Sequence, residues 1–229
     1  VRRLRPTIIV FDVDGVLVDV RGSFQRSVLQ TVAHFTGYRA RPAEIHRWKD
    51  RPSYNDDWRL TTDWVRELGV PVTYDQVKRQ FMRFYWGNGT GSGNVARERW
   101  LPPRGLFRRL GRRSELCVFT GRTRRELRHT FQRFQAARHF RQIVTMDDVA
   151  RSKPHPDGLL KILAGRAPQA ALYLGDNVDD ALAARAAGVP FFGVLAADAE
   201  RRRARGHRLR ELGAVRVLPA VEDLERWLA

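Results

Sequence analysis

The sequence has a single cysteine, Cys117, so no internal disulfide can form. That thiol lies inside an apolar run, where it reads as an inert core residue. A chain without cross-links is the usual form in a reducing compartment, and a cytoplasmic protein is expected. Long apolar runs are missing too. None approaches the roughly 20 residues that a helix needs to span a bilayer, so no membrane partner is expected. A charged start followed by an apolar segment and a small-residue cleavage site is absent, and no secretory signal is read. Lysine is scarce, confined to Lys49, Lys78, Lys153 and Lys161.

Arginine supplies the rest of the positive charge, giving a formal net charge of +17 over 229 residues. Such a balance suits nucleic acid or an acidic substrate. The arginines, however, are spread through every helical segment, and arginine-rich codon usage gives the same excess. Charge alone therefore assigns no nucleic-acid partner. The apolar share, 43%, is that of an ordinary globular protein, and the length suits one large domain or a domain with a smaller insert.

The stretch with most information runs from Thr7 to Asp19. Thr7–Phe11 is short, apolar and β-branched, the pattern of a strand buried on both faces of a parallel sheet. It ends in Asp12 and Asp14, with Gly15 next. Ligands of open parallel sheets sit at the carboxyl ends of the strands. Two carboxylates this close need a cation or a shared proton, and oxygen ligands suit Mg²⁺. Read alone, the stretch is also compatible with an acidic turn.

After Asp19 the periodicity becomes helical. Phe24, Val28, Leu29, Val32 and Phe35 mark a helix from an N-cap at Ser23 to a stop at Gly37. Further helices are expected near 43–49 after Pro42, from Asn55 or Asp56 to Gly69, and over 74–85. No strand is expected from Val20 to Tyr85, so this is a helical insert. The glycine-rich stretch 87–94 follows a helix rather than a strand, which argues for a flexible loop and against a nucleotide loop. From Leu101 strands and helices alternate: helix 103–110, strand 115–119, helix 124–134, strand 142–145, a helix opening at Ser152-Lys153-Pro154, strand 171–174, a helix through Ala187, strand 191–195, helix 199–212, strand 215–218 and a last short helix. This is the pattern of an α/β fold, a three-layer, doubly wound, Rossmann-like parallel sheet. The expected division is a core over 1–18 and 98–229 with an inserted α-helical cap domain over 19–97.

Four polar clusters then fall at strand ends or loops: Asp12/Asp14, Thr120-Gly121, Lys153 and Asp176/Asp180. A carboxylate can attack phosphorus, a hydroxyl and backbone N–H groups can hold phosphoryl oxygens, a lysine compensates charge, and further carboxylates complete a metal site. Singly, Thr120-Gly121 reads equally as a turn, Lys153 as a surface charge and Asp176–Asp180 as a helix N-terminus that favours acids. Together, and in this order, they point to a phosphoryl centre.

On these motifs the chain resembles the haloacid dehalogenase-like superfamily, in the subfamily with a helical cap inserted after the first core strand. The resemblance runs nearly the whole length. It implies a Mg²⁺-dependent phosphatase that hydrolyses a small phosphorylated metabolite through an aspartyl-phosphate, under a cap that moves over the site. Carried over, Asp12 is nucleophile and metal ligand; Asp14 is general acid/base and binds the metal through its backbone carbonyl. Asp14, Gly15, Thr120, Gly121 and Lys153 hold the phosphate, with Lys153 also in the catalytic group. Asp176 binds the metal, and Asp180 stands behind the metal ligands. The dehalogenases lack an aspartate at position 14, and the phosphonate-cleaving members have a small residue there, so phosphate-ester chemistry fits better. A sugar phosphomutase of the β-phosphoglucomutase type shares the same residues, and a non-catalytic, nucleic-acid-binding module on such a core is the rival from another class. In the cap, Arg47, Lys49 and Arg51 suit an anionic substrate, while Asn55 and Trp58 suit hydrogen bonding and stacking. Trp58 reads equally as a residue buried between cap helices.

Overall fold

A computed structural model describes residues 4–88, 92–195 and 199–229. The chain divides into two compact units, Val1–Val18 with Trp100–Ala229, and Asp19–Arg99.

The first unit carries a six-stranded parallel sheet. Its strands are β1 (Ile8–Phe11), β4 (Glu115–Phe119), β5 (Gln142–Val144), β6 (Ala171–Gly175), β7 (Phe191–Val194) and β8 (Arg216–Leu218), in the order β5-β4-β1-β6-β7-β8. Two strands of two residues each, β2 (Val18–Asp19) and β3 (Arg99–Trp100), pair separately where the chain passes between units. β1 is central because it is apolar on both faces. Ile8 and Val10 join Phe119, Tyr173, Ile162 and Ala184 in one buried cluster. Phe11 points the other way, meeting Phe107 and Phe140 edge-on at centroid distances of 5.7 and 6.1 Å. The helices that cover the sheet are α5 (Leu106–Leu110), α6 (Arg124–Arg133), α7 (Asp157–Leu163), α8 (Val178–Ala187) and α9 (Ala199–Glu211). β1 pairs in register with β4 (Phe11 beside Val118) and with β6 (Phe11 beside Leu174), so the carboxyl ends of these three strands lie together. The strand order reverses at β1, which is where open α/β sheets place their sites.

Two helix starts differ from expectation. The helix expected over 103–110 is confined to Leu106–Leu110, and the helix expected to open at Ser152 begins at Asp157. The first start is set by Gly105, which stands at the N-cap with φ +82°; the second is pushed back by Pro154 and Pro156, since the residue before a proline is steered out of the helical region. Lys153 consequently sits on irregular backbone, where a long side chain is free to be aimed. The last helix, Val221–Trp227, is of the 3₁₀ type.

The second unit is built from α1 (Phe24–Thr36), α2 (Pro42–Lys49), α3 (Asp57–Glu67) and α4 (Tyr74–Trp86). Its core holds Phe24, Val28, Val32, Trp58, Leu60, Trp64, Phe81 and Tyr85, all buried. Ser23 stands at the N-cap of α1, but its hydroxyl makes no capping bond and points instead at the buried carboxylate of Glu98, which also accepts the Tyr85 hydroxyl at 3.1 Å. Of the glycine-rich stretch, residues 89–91 lie outside the described residues, so the loop expected there is not characterised.

Candidate active site

Asp12 follows β1 directly and is 2% exposed. Its Oδ1 accepts from Lys153 Nζ at 2.8 Å, and the same ammonium donates to Asp180 Oδ1 at 2.7 Å. Lys153 lies over the rings of Phe119 and Tyr173, 5.0 and 5.6 Å from their centroids. Burial alone would lower the affinity of this lysine for its proton. The carboxylates of Asp12 and Asp180 more than reverse that, and the group is held as an ammonium well above the usual lysine range.

Asp180 has every acceptor site taken. Oδ1 also receives the Tyr173 hydroxyl at 2.6 Å, and Oδ2 receives the backbone N–H groups of Asp176 and Asn177 at 3.0 and 3.2 Å. Asn177 caps α8 and accepts from the Asp180 N–H in return, a reciprocal box that fixes the start of the helix. Asp180 is thus an orienting group for Lys153 and for the turn carrying Asp176.

Oxygens of Asp12, Asp176 and Asp180 lie within 4.8 Å of one another, those of Asp180 already engaged by their donors. Burial pushes the Asp12 carboxyl well above the carboxylate range; Asp180, Asp14 and Asp176 push the same way, and Lys153 opposes them. Such a cluster suits a hard divalent cation with oxygen ligands. The backbone is shaped around it: a Cβ on Gly15, where φ is +77°, would stand 2.4 Å from Asp176 Oδ2. Only glycine lets this turn approach the carboxylate so closely.

Thr120 follows β4 and is buried. Its hydroxyl oxygen accepts from the Arg122 N–H at 3.2 Å, which leaves the hydroxyl proton for an acceptor such as a phosphoryl oxygen. Asp14 is less buried than Asp12 and is bound by a guanidinium rather than an ammonium: Arg122 Nε reaches its Oδ1 at 2.8 Å. The structure thus brings Asp12, Lys153, Asp176 and Asp180 together and sets Asp14 and Thr120 against Arg122.

Sequence pattern alone assigns no role to Arg122, Tyr173 or Glu126. Arg122 directly follows Thr120-Gly121 but looks in sequence like any of the surface arginines. Tyr173 did carry a signal, since a phenol inside an apolar strand needs a buried partner.

In the helical unit, Arg47 is exposed on α2 and Arg51 is exposed with its guanidinium 4.7 Å from the Trp48 ring centroid. Lys49 is bound to Asp57 at 2.7 Å, and Asn55 is half-buried. Trp58 is buried in its own unit, edge-on to Tyr74 and Phe81, with Lys78 Nζ 4.0 Å above its ring. The stacking surface expected of Trp58 is therefore used within the unit.

A haloacid dehalogenase-like hydrolase family model matches residues 108–194. The chain is 31% identical over 195 residues to an imidazoleglycerol-phosphate dehydratase of Phytophthora nicotianae, covering 82% of this chain and 43% of that protein. It is 27% identical over 191 residues to phosphoglycolate phosphatase 1 of Pseudomonas aeruginosa, covering 80% of this chain and 67% of the relative. It therefore spans less than half of the first relative and about two thirds of the second. Among solved structures, a predicted phosphoglycolate phosphatase from Haemophilus somnus superimposes with a TM-score of 0.76 at 19% identity, covering 97% of both chains. That likeness is one of fold.

Proposed function

We propose that the chain, which a haloacid dehalogenase-like hydrolase family model matches over residues 108–194, is a Mg²⁺-dependent phosphatase of a small phosphorylated metabolite. The observation that carries this reading is the buried ammonium of Lys153, shared between Asp12 and Asp180 at the end of the central strand. A lysine held charged beside a carboxylate neutralises the approach of a phosphate dianion to that carboxylate.

In the first step an oxygen of Asp12 attacks phosphorus. The ester P–O bond breaks, and its electron pair leaves with the alcohol oxygen, which takes a proton from Asp14. In the second step water attacks the same phosphorus, gives its proton to Asp14, and the Asp12–phosphorus bond breaks. The sum is ester plus water to alcohol plus phosphate, with both aspartates restored. Thr120, Gly121, Gly15 and Lys153 hold the phosphoryl oxygens. Asp12 and Asp176 with the Asp14 carbonyl would hold the cation, and Asp180 orients Lys153. Mg²⁺, when bound, offsets the crowded carboxylates and polarises the phosphoryl group. Selection among substrates is assigned to Arg47, Arg51 and Asn55 of the helical unit, which suit an anionic group.

The test is phosphate release across phosphorylated sugars, nucleotides and small acids with Mg²⁺ present. Phosphoglycolate belongs early in that panel because of the relative's name. The expected result is preferred turnover of one small phosphate ester, with rapidly quenched enzyme heavier by one phosphoryl group. Absence of turnover on the whole panel, with no phosphoenzyme, would overturn the reading.

A further inference from the structure

Arg122 is the largest fully buried side chain among the described residues. A guanidinium taken from water is tolerable only where its donors are met. Nε and Nη2 both reach the same oxygen of Asp14, Oδ1, at 2.8 and 2.7 Å. Nη1 donates to the Thr130 hydroxyl, which donates in turn to the Glu126 carbonyl at 3.2 Å. The backbone N–H of Arg122 goes to Thr120 Oγ1. α6 therefore builds a support beneath the guanidinium. Its first turn is locked by the reciprocal bonds of Thr123 and Glu126, and its second supplies Thr130.

The consequence lies on Asp14. Its side chain keeps 31% exposure, while that of Arg122 has none. Both guanidinium contacts fall on Oδ1, and Oδ2 has no hydrogen-bond partner among the described residues. One carboxylate oxygen is anchored from below and the other is presented outward. A general acid/base needs this division, because proton transfer falls off steeply when the carrying oxygen wanders from the reacting atoms.

We propose that Arg122 is a positioning residue for proton transfer: it clamps Asp14 Oδ1 so that Oδ2 delivers the proton to the leaving alcohol and later receives one from the attacking water. This inference rests on the phosphatase reading. It goes beyond that reading by assigning the transfer to one oxygen and its alignment to α6. The alternative is that the buried pair only stabilises the fold.

Arg122→Lys keeps the charge but loses the two-pronged grip. Thr130→Val removes the support while leaving Asp14 and Arg122 in place. Both are measured with an aryl phosphate, whose leaving group needs little protonation, and an alkyl phosphate, which needs it fully. For Arg122→Lys, kcat on the alkyl ester should fall by about tenfold to a hundredfold, part of the 10²–10⁴ typical of general acid–base catalysis, with KM nearly constant. With the aryl ester the first step should survive while its hydrolysis slows, so that a phosphoenzyme accumulates in acid-quenched, intact-mass samples. Thr130→Val should follow in the same direction with a smaller loss. Combined with Asp14→Asn, Arg122→Lys should add no further loss, since the two act as one unit.

Equal slowing of the first step on both esters in rapid-quench time courses, no phosphoenzyme accumulated with the aryl ester, or losses that multiply with those of Asp14→Asn would overturn the proposal. If Arg122→Lys does not fold, judged by circular dichroism, the same criteria applied to Thr130→Val decide it. Failure of the phosphatase reading looks different: the unaltered protein then releases no phosphate from either ester.

Discussion

Asp12 and Asp14 stand two positions apart yet occupy opposite physical settings. Asp12 is buried against an ammonium, whereas Asp14 is partly exposed and held by a guanidinium. Asp12→Asn removes the attacking oxygen, so quenched samples should contain no phosphoenzyme with any ester. Asp14→Asn keeps the nucleophile, and phosphoenzyme should build up with an aryl phosphate while turnover falls by about 10²–10⁴. A phosphoenzyme in Asp12→Asn, or full turnover in Asp14→Asn, would reverse the two roles. Glu126 supports a second prediction. Burial raises its carboxyl from 4.5 to about 7, against the opposing bonds from Thr123 and the charge of Arg122. Below pH 4.5 the group is protonated folded and unfolded alike; between 4.5 and 7 only the unfolded chain ionises, and stability drains away as pH rises. Glu126→Gln keeps the cap acceptor without the charge. The stability of this variant relative to the parent should therefore rise by about 3 kcal/mol from pH 4.5 to 7 and stay level above, measured by urea unfolding at each pH. A pH-independent difference would show that Glu126 does not titrate there. The acidic residues of the site were legible because they follow apolar runs. Glu126 was not, since it reads as an ordinary capping-box acid and nothing in its neighbours announces burial.

The strands of the sheet and the long helices were visible from periodicity, as at α1, which starts after Ser23 and stops at Gly37 as expected. What local pattern could not supply was the partner of each end group. Ser23 looks like a cap, but its hydroxyl turns toward Glu98, 75 positions away. The same limit applies to Trp58: burial between helices was one of two equal readings, but its partner Phe81 was not readable. Because Trp58 fills the interior of its unit, Trp58→Ala should cost about 3–5 kcal/mol, lowering the unfolding midpoint and impairing every substrate alike. Replacing Arg51 and Asn55 should instead leave the melting temperature nearly unchanged and reduce kcat/KM on the preferred substrate more than on a small aryl phosphate, because remote contacts serve the larger substrate. Equal loss on both would remove these residues from substrate selection. The turn after β1 is sharper still in its demand. Gly15→Ala would drive a methyl into Asp176 and strain a positive φ, so Mg²⁺ titration of activity should show a weakened apparent affinity at preserved fold. An unchanged titration would place the cation away from Asp176.

For the molecule as a whole the sequence leaves 42 basic residues against 25 acidic ones. Many arginines are engaged at the surface, as in the pairs Arg109–Glu225, Arg151–Asp157 and Arg166–Glu115. Such exposed pairs contribute little to stability, but the unpaired excess produces a field that acts over about 8 Å at physiological ionic strength. A field of this sign raises the local concentration of any phosphate ester and does not touch the chemical step. It follows that kcat/KM should fall as salt rises from about 50 to 300 mM while kcat, at saturating substrate and fixed Mg²⁺, stays nearly constant. The same field attracts nucleic acid without sequence preference. That binding should vanish steeply with salt, since it depends on counterions released from the phosphate backbone. Its loss should leave kcat intact. Fluorescence anisotropy with a labelled duplex, run beside the kinetic series, separates the cases. Weak, salt-labile binding fits a phosphatase that merely carries a basic surface. Tight binding that resists salt, together with a kcat that follows it, would mean that the positive charge serves a nucleic-acid ligand rather than the capture of a small phosphorylated substrate.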